Sequence, residues 1–142
     1  MIIPDINLLI YAYNTGAKLH GPSKEWLEEI LSGDKTVGFS WAVLHGYIRL
    51  TTHPSVMKLP LEPSQAVSHV ASWLKVPHTA IIEPGKRHLE ILSQLLNEIG
   101  SAGNITTDAV LAALAIEYQG ELHSNDGDFS RFSGLRWVNP VR

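Results

Sequence analysis

The sequence predicts an α/β/α sandwich, in which helices cover both faces of a central, mainly parallel sheet of four or five strands. Short apolar runs of strand length alternate along the chain with longer stretches of helical periodicity. This alternation is typical of parallel sheets, because each return to the next parallel strand requires a long crossover connection. The 142 residues contain no internal repeat and no low-complexity tract, so we expect a single domain over residues 1–142.

The first half of the chain is predicted to contain two strands and three helices, followed by a loop. In order, we predict a strand over residues 1–4, a helix from residue 6, a helix over 22–32, a strand over 36–40 and a helix over 41–50. Pro22 suits the first turn of the second helix, with Ser23 or Gly21 as its cap. Three prolines between residues 54 and 63 indicate a loop.

The second half is predicted to contain three helices and three strands. In order, we predict a helix over residues 64–74, a strand over 79–82, a helix over 85–99, a helix from 107, and strands over 122–125 and 135–138. The first two of these helices have predicted inward faces, formed by Ala66, Val67, Val70, Ala71 and Leu74 and by Leu89, Leu92, Leu95, Leu96 and Ile99. We expect the helix from Thr107 to end near Gly120 in a left-handed cap.

The composition limits the classes of function. With 44% hydrophobic and 18% charged residues, no apolar run of about 18 residues and no signal-peptide pattern, we expect a soluble, cytoplasmic protein without a membrane span. The absence of cysteine excludes disulfides, thiolate metal sites and cysteine nucleophiles. A net charge of −3 argues against a broad basic surface for nucleic acid, although bound divalent cations can supply positive charge locally.

Four aspartates follow predicted strands or open a predicted helix. Asp5 follows the first strand, Asp108 lies in the first turn of the alanine-rich helix, and Asp126 and Asp128 follow the strand at Leu122. Ligands of parallel sheets collect at the carboxyl ends of the strands, so these carboxylates should meet there. Clustered carboxylates repel unless a cation intervenes, and oxygen ligands suit Mg²⁺, with Mn²⁺ as a possible substitute. The pattern predicts a metal-dependent phosphoryl-transfer site.

Each of these residues also has an ordinary structural interpretation. Asp5 can cap the first helix, Asp108 can complement the helix dipole, and the pair Asp126 and Asp128 can belong to a turn. Asn7 and Ser124 are candidate supporting residues, and local hydrogen bonding to the backbone is an equally good explanation for both. The functional interpretation is favoured because all four aspartates fall at one predicted edge of the sheet.

Other catalytic motifs are absent. The sequence lacks a nucleophile elbow, a phosphate-binding loop and a dinucleotide-binding fingerprint. The seven histidines show no zinc-ligand spacing, and the four tryptophans are predicted to lie in the core or at an interface rather than to stack on bases. Arg49 is a candidate substrate-binding residue, and Lys86, Arg87 and Arg131 are further candidates for phosphate contacts, although surface cations are the ordinary interpretation.

Five segments of the chain form a recognisable series. They are DINLLIYA at 5–12, WAVLHGYIRLTTHP at 41–54, TDA at 107–109, SNDGDFSRF at 124–132 and LRWVNP at 135–140. In this order they resemble PIN-domain ribonucleases, specifically VapC-type toxins of type II toxin–antitoxin systems. The first segment resembles the family's first motif, and the second resembles a VapC subgroup marked by Arg-x-x-Thr-x-Pro. The last three resemble its third motif, its fourth motif and its last strand.

The resemblance implies a PIN-like fold and Mg²⁺-dependent cleavage of RNA. Asp5 and Asp108 would hold the principal ion, Asp126 would be a further ligand or position a water, and Asp128 would support the site or a second ion. The resemblance also implies a VapB-type antitoxin that blocks the site, and a toxin homodimer. Many PIN domains carry a second acid in the helix after the second strand, and we assign that place to His45.

Two other functions stay open from the sequence. An aspartate-based phosphatase would use Asp5 as its nucleophile, although the Asp-Ile-Asn sequence at residues 5–7 lacks the second acid of the common phosphatase motif. A catalytically degenerate PIN domain would only bind a protein partner, and His45 in place of an acid favours that alternative.

Overall fold

The computed structural model describes residues 1–142 and contains one sheet of five parallel strands. The strands are β1 (Ile2–Pro4), β2 (Val37–Ser40), β3 (Thr79–Ile82), β4 (Glu121–His123) and β5 (Arg136–Val138). Their order across the sheet is β3-β2-β1-β4-β5, and every neighbouring pair is parallel. The predicted sheet is therefore confirmed, with five strands and no antiparallel member.

Six helices connect the strands. They are α1 (Ile6–Tyr13), α2 (His20–Ser32), α3 (Trp41–Thr51), α4 (Pro63–Leu74), α5 (His88–Ile99) and α6 (Thr106–Glu117), with short 3₁₀ turns at Gly103–Ile105 and Gly127–Arg131. Along the chain the strands step from β1 to β3 in one direction and then return to β4 and β5 in the other. Because parallel crossovers are right-handed, this reversal places α1 to α4 on one face and α5 and α6 on the other. No helix is both long and apolar enough to cross a membrane.

The core is one cluster of 27 buried residues that extends from Ile2 to Val141. Helix α6 is buried on most of its circumference, and its alanines let it lie close to the sheet and to α5. Where the chain leaves α6, the left-handed residue is Gln119, with φ of 54°, rather than the predicted Gly120. Gly120 is needed for a different reason, since a Cβ there would lie 2.7 Å from Ile3 Cδ1.

The predicted helix starts were wrong at two places. Helix α2 begins at His20, two residues before the predicted start, so neither Gly21 nor Ser23 caps it, and Ser23 is buried within its first turns. Helix α5 begins at His88 rather than residue 85. The carboxylate of Glu117 accepts hydrogen bonds from the backbone N–H groups of Gly85 (2.8 Å) and Arg87 (3.1 Å), which holds this segment outside the helix.

The predicted inward faces of α4 and α5 were partly wrong. Val67 and Ala71 are exposed, and α4 instead buries Trp73, which stacks on Phe39 of β2 at a ring separation of 5.8 Å. In α5, Leu89 is 76% exposed and Ile91 takes the buried position. In both helices the true buried face is rotated from the predicted one, because the packing against neighbouring elements decides it.

Candidate active site

The site lies where the strand order reverses. β1 and β4 are neighbours in the middle of the sheet, and Pro4 pairs with His123 at their carboxyl ends. The chain from β1 turns away to one face and the chain into β4 arrives from the other. A crevice forms at such a switch point, and ligands of open α/β sheets bind there. Asp5 and Ser124 are the first residues after these two strands, so both enter the crevice.

Asp5 is buried, and each of its carboxylate oxygens accepts a hydrogen bond. It is 8% exposed and caps α1, accepting a hydrogen bond from Ile6 N–H to Oδ1 at 2.7 Å. Its Oδ2 accepts a hydrogen bond from the Ser124 hydroxyl, also at 2.7 Å. The capping role and the site role proposed from the sequence are therefore compatible, because the carboxylate has one oxygen for each.

Ser124 forms hydrogen bonds with residues that follow β1 and with residues that follow β4. Besides donating to Asp5, its Oγ accepts hydrogen bonds from the side-chain amide of Asn7 at 3.1 Å and from the backbone N–H of Asp126 at 3.0 Å. The indole N–H of Trp137 donates to the Ser124 carbonyl at 3.0 Å. Ser124 is completely buried, so its hydroxyl orientation is fixed by these partners. The predicted supporting residues Asn7 and Ser124 do lie together beside Asp5.

Asp108, Asp126 and Asp128 form a group of three carboxylates. Ligand atoms from the three side chains lie within 4.8 Å of one another, and all three groups are at least partly open to solvent. Asp108 comes from the first turn of α6, whereas Asp126 caps the 3₁₀ turn after β4 by accepting from Asp128 N–H at 2.9 Å. Asp5 is not part of this group at that spacing, although it lines the same cavity.

The electrostatics of the crevice disfavour four negative charges. Burial raises the pKa of Asp5 despite the hydrogen bonds from Ser124 and Ile6, and the nearby charge of Asp126 raises it further. Burial also raises the pKa of Asp108, and repulsion from Asp126, Asp5 and Asp128 adds to the effect. A divalent cation would remove this repulsion, and an all-carboxylate donor set suits a hard cation. The residues therefore fit a metal ion of the Mg²⁺ or Mn²⁺ type.

The carboxylates form one wall of a cavity of about 650 Å³. Asp5, Asp108 and Asp126 line it, and so does Arg49 from α3, the candidate substrate-binding residue. Much of the remaining lining is apolar and includes Val43, Ile82, Val110, Leu111 and Leu114. Lys86, Arg87 and Arg131 are exposed and do not line this cavity, so those three candidates are not brought to it.

The assignment of His45 to the place of the second acid was wrong. His45 is exposed and stacks on Trp41, with 5.4 Å between the ring centres. The next residue, Gly46, lines the cavity instead, and a Cβ there would lie 2.5 Å from Ile6 Cδ1. A glycine inside a helix costs stability and signals close packing, which is the sequence feature that could have identified this position.

The sequence interpretation also missed Trp41. Trp26 and Trp73 are buried as predicted, and Trp137 is half-buried, but Trp41 is 43% exposed and lines the cavity. Its position as the first residue of α3, directly after β2, was the available signal. A residue at that place lies at the same sheet edge as Asp5.

Comparison with known proteins identifies the family. The model of the PIN domain matches residues 2–135. The chain belongs to the PIN-domain family. This PIN domain is 42% identical to Ribonuclease VapC33 of Mycobacterium tuberculosis, over 100% of this chain and 99% of the relative. It is also 42% identical to Ribonuclease VapC37 of the same organism, over 99% of this chain and 97% of the relative.

Solved structures share the fold of this PIN domain. VapBC2 from Rickettsia felis, bound to a DNA fragment from its promoter, matches with a TM-score of 0.71 at 22% identity, covering 98% of each chain. VapC20 of Mycobacterium tuberculosis, a toxin that cleaves the sarcin–ricin loop, matches with a TM-score of 0.65 at 21% identity, covering 96% of this chain and 99% of that one. These likenesses confirm the predicted α/β/α architecture.

Proposed function

We propose that this PIN domain is a metal-dependent endoribonuclease and the toxin of a type II toxin–antitoxin system. The observation that carries the proposal is the group of Asp108, Asp126 and Asp128 carboxylates beside the buried Asp5, at the switch point of the sheet. Full-length identity of 42% to proteins named Ribonuclease VapC33 and VapC37 supports RNA as the substrate. We propose Mg²⁺ as the cofactor, with Mn²⁺ as a substitute, because the donors are all carboxylate oxygens.

The proposed chemistry is hydrolysis of a phosphodiester bond, with Asp5, Asp108 and Asp126 as the catalytic residues. Asp108, Asp126 and Asp128 would hold the cation, and Asp5 would complete the set from the crevice floor. A divalent cation held by these carboxylates would supply positive charge that activates water for attack and offsets charge on the scissile phosphate. Ser124 and Asn7 keep Asp5 and the backbone at Asp126 in fixed positions through their hydrogen bonds. Arg49, at the cavity wall, would contact a phosphate.

The residues around Asp5 do not favour the phosphatase alternative. Asn7 occupies the position at which the common phosphatase motif has its second acid, and its side-chain amide donates to Ser124 Oγ at 3.1 Å. The full-length relatives are named ribonucleases. The degenerate alternative depended on His45 in the site, and His45 lies outside the cavity.

The proposed partner is a VapB-type antitoxin, and the proposed assembly is a homodimer in the cytoplasm. One of the solved relatives is a VapBC complex from Rickettsia felis. The cavity offers four acidic residues against the single cation of Arg49, counting Asp5, Glu83, Asp108 and Asp126. A basic antitoxin segment, with an arginine paired to the carboxylates, would complement this charge.

The deciding experiment replaces one carboxylate of the group and one carboxylate elsewhere. Asp108→Asn should abolish Mg²⁺-dependent cleavage of RNA, because it removes a ligand charge while keeping the side-chain shape. Asp34→Asn is the matched control. Asp34 is exposed and precedes β2, so it lies at the amino-terminal ends of the strands, away from the site. Cleavage should be measured on total RNA with and without chelator. Near-normal cleavage by Asp108→Asn would remove Asp108 from the site.

A further inference from the structure

Trp41 is the large aromatic side chain that the cavity exposes to solvent. Its indole is 43% exposed, and it lines the same cavity as Asp5, Asp108 and Asp126. The other tryptophans are engaged elsewhere: Trp26 and Trp73 are buried in the core, and Trp137 donates its N–H to Ser124. Exposing a tryptophan at a cavity wall forgoes the free energy gained by burying it, so the position suggests a ligand.

The indole of Trp41 lies at a capped helix start and is in contact with a neighbouring ring. Trp41 is the first residue of α3, and the hydroxyl of Ser40 caps this helix by accepting from Val43 N–H at 3.2 Å. The imidazole of His45, one turn along the same helix, stacks against the indole at an interplanar angle of 27°. A ring supported in this way loses little side-chain freedom when a second ring stacks on it.

Apart from the proposed metal ion at the scissile phosphate, the cavity offers RNA little positive charge. Arg49 is the one basic side chain in its lining, and the whole chain carries 11 basic against 14 acidic residues. Much of the remaining lining is apolar, including Val43, Ile82 and Leu111. Away from the scissile phosphate, RNA held here would therefore gain binding energy from the burial of bases more than from contacts with phosphates.

We infer that Trp41 is a stacking platform for an unpaired RNA base that lies next to the scissile phosphate. The inference rests on the proposed ribonuclease function and adds the substrate feature that this site would select. The carboxylate group places the phosphate, and Trp41 in the same cavity is available to the neighbouring nucleotide. His45 supports the indole, which makes it a positioning residue.

Two properties of the substrate follow from this arrangement. A base in a duplex has both faces covered by its neighbours, so the cleaved bond must lie in a single-stranded segment or a loop. Because stacking is insensitive to salt and few cations contact the RNA, binding should depend weakly on ionic strength. The logarithmic salt slope should correspond to about one or two phosphate contacts, as expected for a strand that meets Arg49 and the proposed metal ion in this cavity.

The test compares Trp41→Ala, Trp41→Phe and His45→Ala with wild type. Cleaved bonds are first mapped by sequencing the 5′ ends of total RNA after digestion with the purified protein and Mg²⁺. Short single-stranded oligonucleotides containing one such bond are then made intact and with an abasic nucleotide on either side of the bond. Trp41→Ala should lower kcat/KM about 5- to 150-fold on the intact strand, mainly through KM. Trp41→Phe should retain most of the activity, and His45→Ala should show an intermediate loss.

The abasic substrates separate stacking from general damage to the fold. If Trp41 stacks on one base, wild type should lose activity when that base is removed, and Trp41→Ala should cause no further loss on the same strand. An equal loss from Trp41→Ala on intact and abasic strands would overturn the inference. Val67→Ala is the matched control, because Val67 is an exposed apolar residue of α4 outside the cavity and should leave kcat/KM unchanged.

If Trp41 contacts an antitoxin or a second copy of the chain rather than RNA, the variants should behave differently. If Trp41→Ala weakens antitoxin binding or changes the oligomeric state while RNA cleavage stays normal, the indole serves a protein contact and the inference fails. Binding of a randomised single-stranded RNA pool with Ca²⁺ in place of Mg²⁺ should be weakened by Trp41→Ala independently of cleavage. A wild-type protein that cleaves no RNA would refute the proposed function, whereas normal cleavage and binding by Trp41→Ala would refute only the stacking role.

Discussion

Asp5 and Asp108 carry the same charge in different surroundings, so asparagine should affect stability in opposite directions at the two positions. Asp108 suffers repulsion from Asp126, Asp5 and Asp128, and its neutral analogue relieves that repulsion. The gain is about 0.5 kcal/mol, because solvent screens a group that is only partly buried. Asp5 instead accepts hydrogen bonds from Ser124 and Ile6. Asparagine there presents an N–H group to one of these donors, at a cost of about 1–3 kcal/mol.

The substitution Asp108→Asn should also change how the free energy of unfolding depends on pH. A carboxyl whose pKa is raised in the folded state binds its proton more tightly there than in the unfolded chain. Its contribution to stability is present below the unfolded pKa of about 3.8 and is lost as pH rises through the folded pKa. Through this group, metal-free wild type should lose part of its stability as pH rises from that value, and Asp108→Asn should remove that part of the pH dependence.

Urea denaturation of both variants with chelator, at pH values below and above this window, measures the effect. Asp34→Asn serves again as the control for an exposed acid. The prediction is contradicted if Asp108→Asn is the less stable variant at neutral pH. It is also contradicted if Asp5→Asn is as stable as wild type.

Two neighbouring positions of helix α3 point in different directions, and only one of them faces the site. His45 and Gly46 are neighbours, yet Gly46 faces Ile6 and the cavity whereas His45 faces solvent and Trp41. An acid should reach the carboxylate group from position 46 but not from position 45. Gly46→Glu requires room, since a Cβ there would meet Ile6 Cδ1 at 2.5 Å. Combining it with Ile6→Ala removes the contacting atoms.

The double variant Ile6→Ala/Gly46→Glu should therefore bind Mg²⁺ more tightly than Ile6→Ala alone. His45→Glu is the matched control, with the same new charge one residue away, and its affinity should equal that of wild type. Metal titrations followed by calorimetry would measure both differences. Tighter binding by His45→Glu, with no gain from the double variant, would show that the helix is turned the other way.

Local patterns predicted the secondary elements better than their ends and faces. The strand over Thr79–Ile82 and the helix from Trp41 follow directly from apolar runs and a capping serine. The start of α5 could not be predicted, because it depends on Glu117, which is 32 residues from Gly85 in sequence. Likewise, Val67 is exposed although it was predicted to face inward, because α4 packs on the ring of Phe39 through Trp73 instead. Contacts between distant residues decided each of these differences.

The whole fold assembles the site from both ends of the chain. Asp5 and Ser124 lie 119 residues apart in sequence and meet because β1 and β4 are neighbours in the sheet. The sequence could predict this meeting, since every candidate acid followed a strand or opened a helix of a parallel sheet. It could not predict that Ser124 would contact Asp5, Asn7 and Asp126 together, because hydroxyl geometry depends on the packed structure. The sequence could not predict the apolar part of the cavity lining either, since it combines residues of α3, β3 and α6.

The distribution of charge over the molecule predicts how an antitoxin would inhibit it. The net charge is −3, and the cavity gathers acidic residues around a single arginine. A cognate antitoxin should suppress cleavage at a stoichiometric ratio by placing a basic side chain among the carboxylates. Asp108→Asn should then weaken antitoxin binding to the metal-free protein by about 2 kcal/mol or more, which is roughly thirty-fold in Kd.

Asp34→Asn should leave that Kd unchanged, because it removes the same charge at the amino-terminal ends of the strands, away from the site. Calorimetric titration in chelator separates this effect from competition with the metal ion. Equal antitoxin affinity for both variants would mean that the partner does not use the carboxylates. The same conclusion would hold if inhibition survived the loss of every basic residue from the antitoxin's C-terminal part. Inhibition would then have to arise from the apolar wall alone, and the acidic group would serve the metal ion and the RNA without contacting the antitoxin.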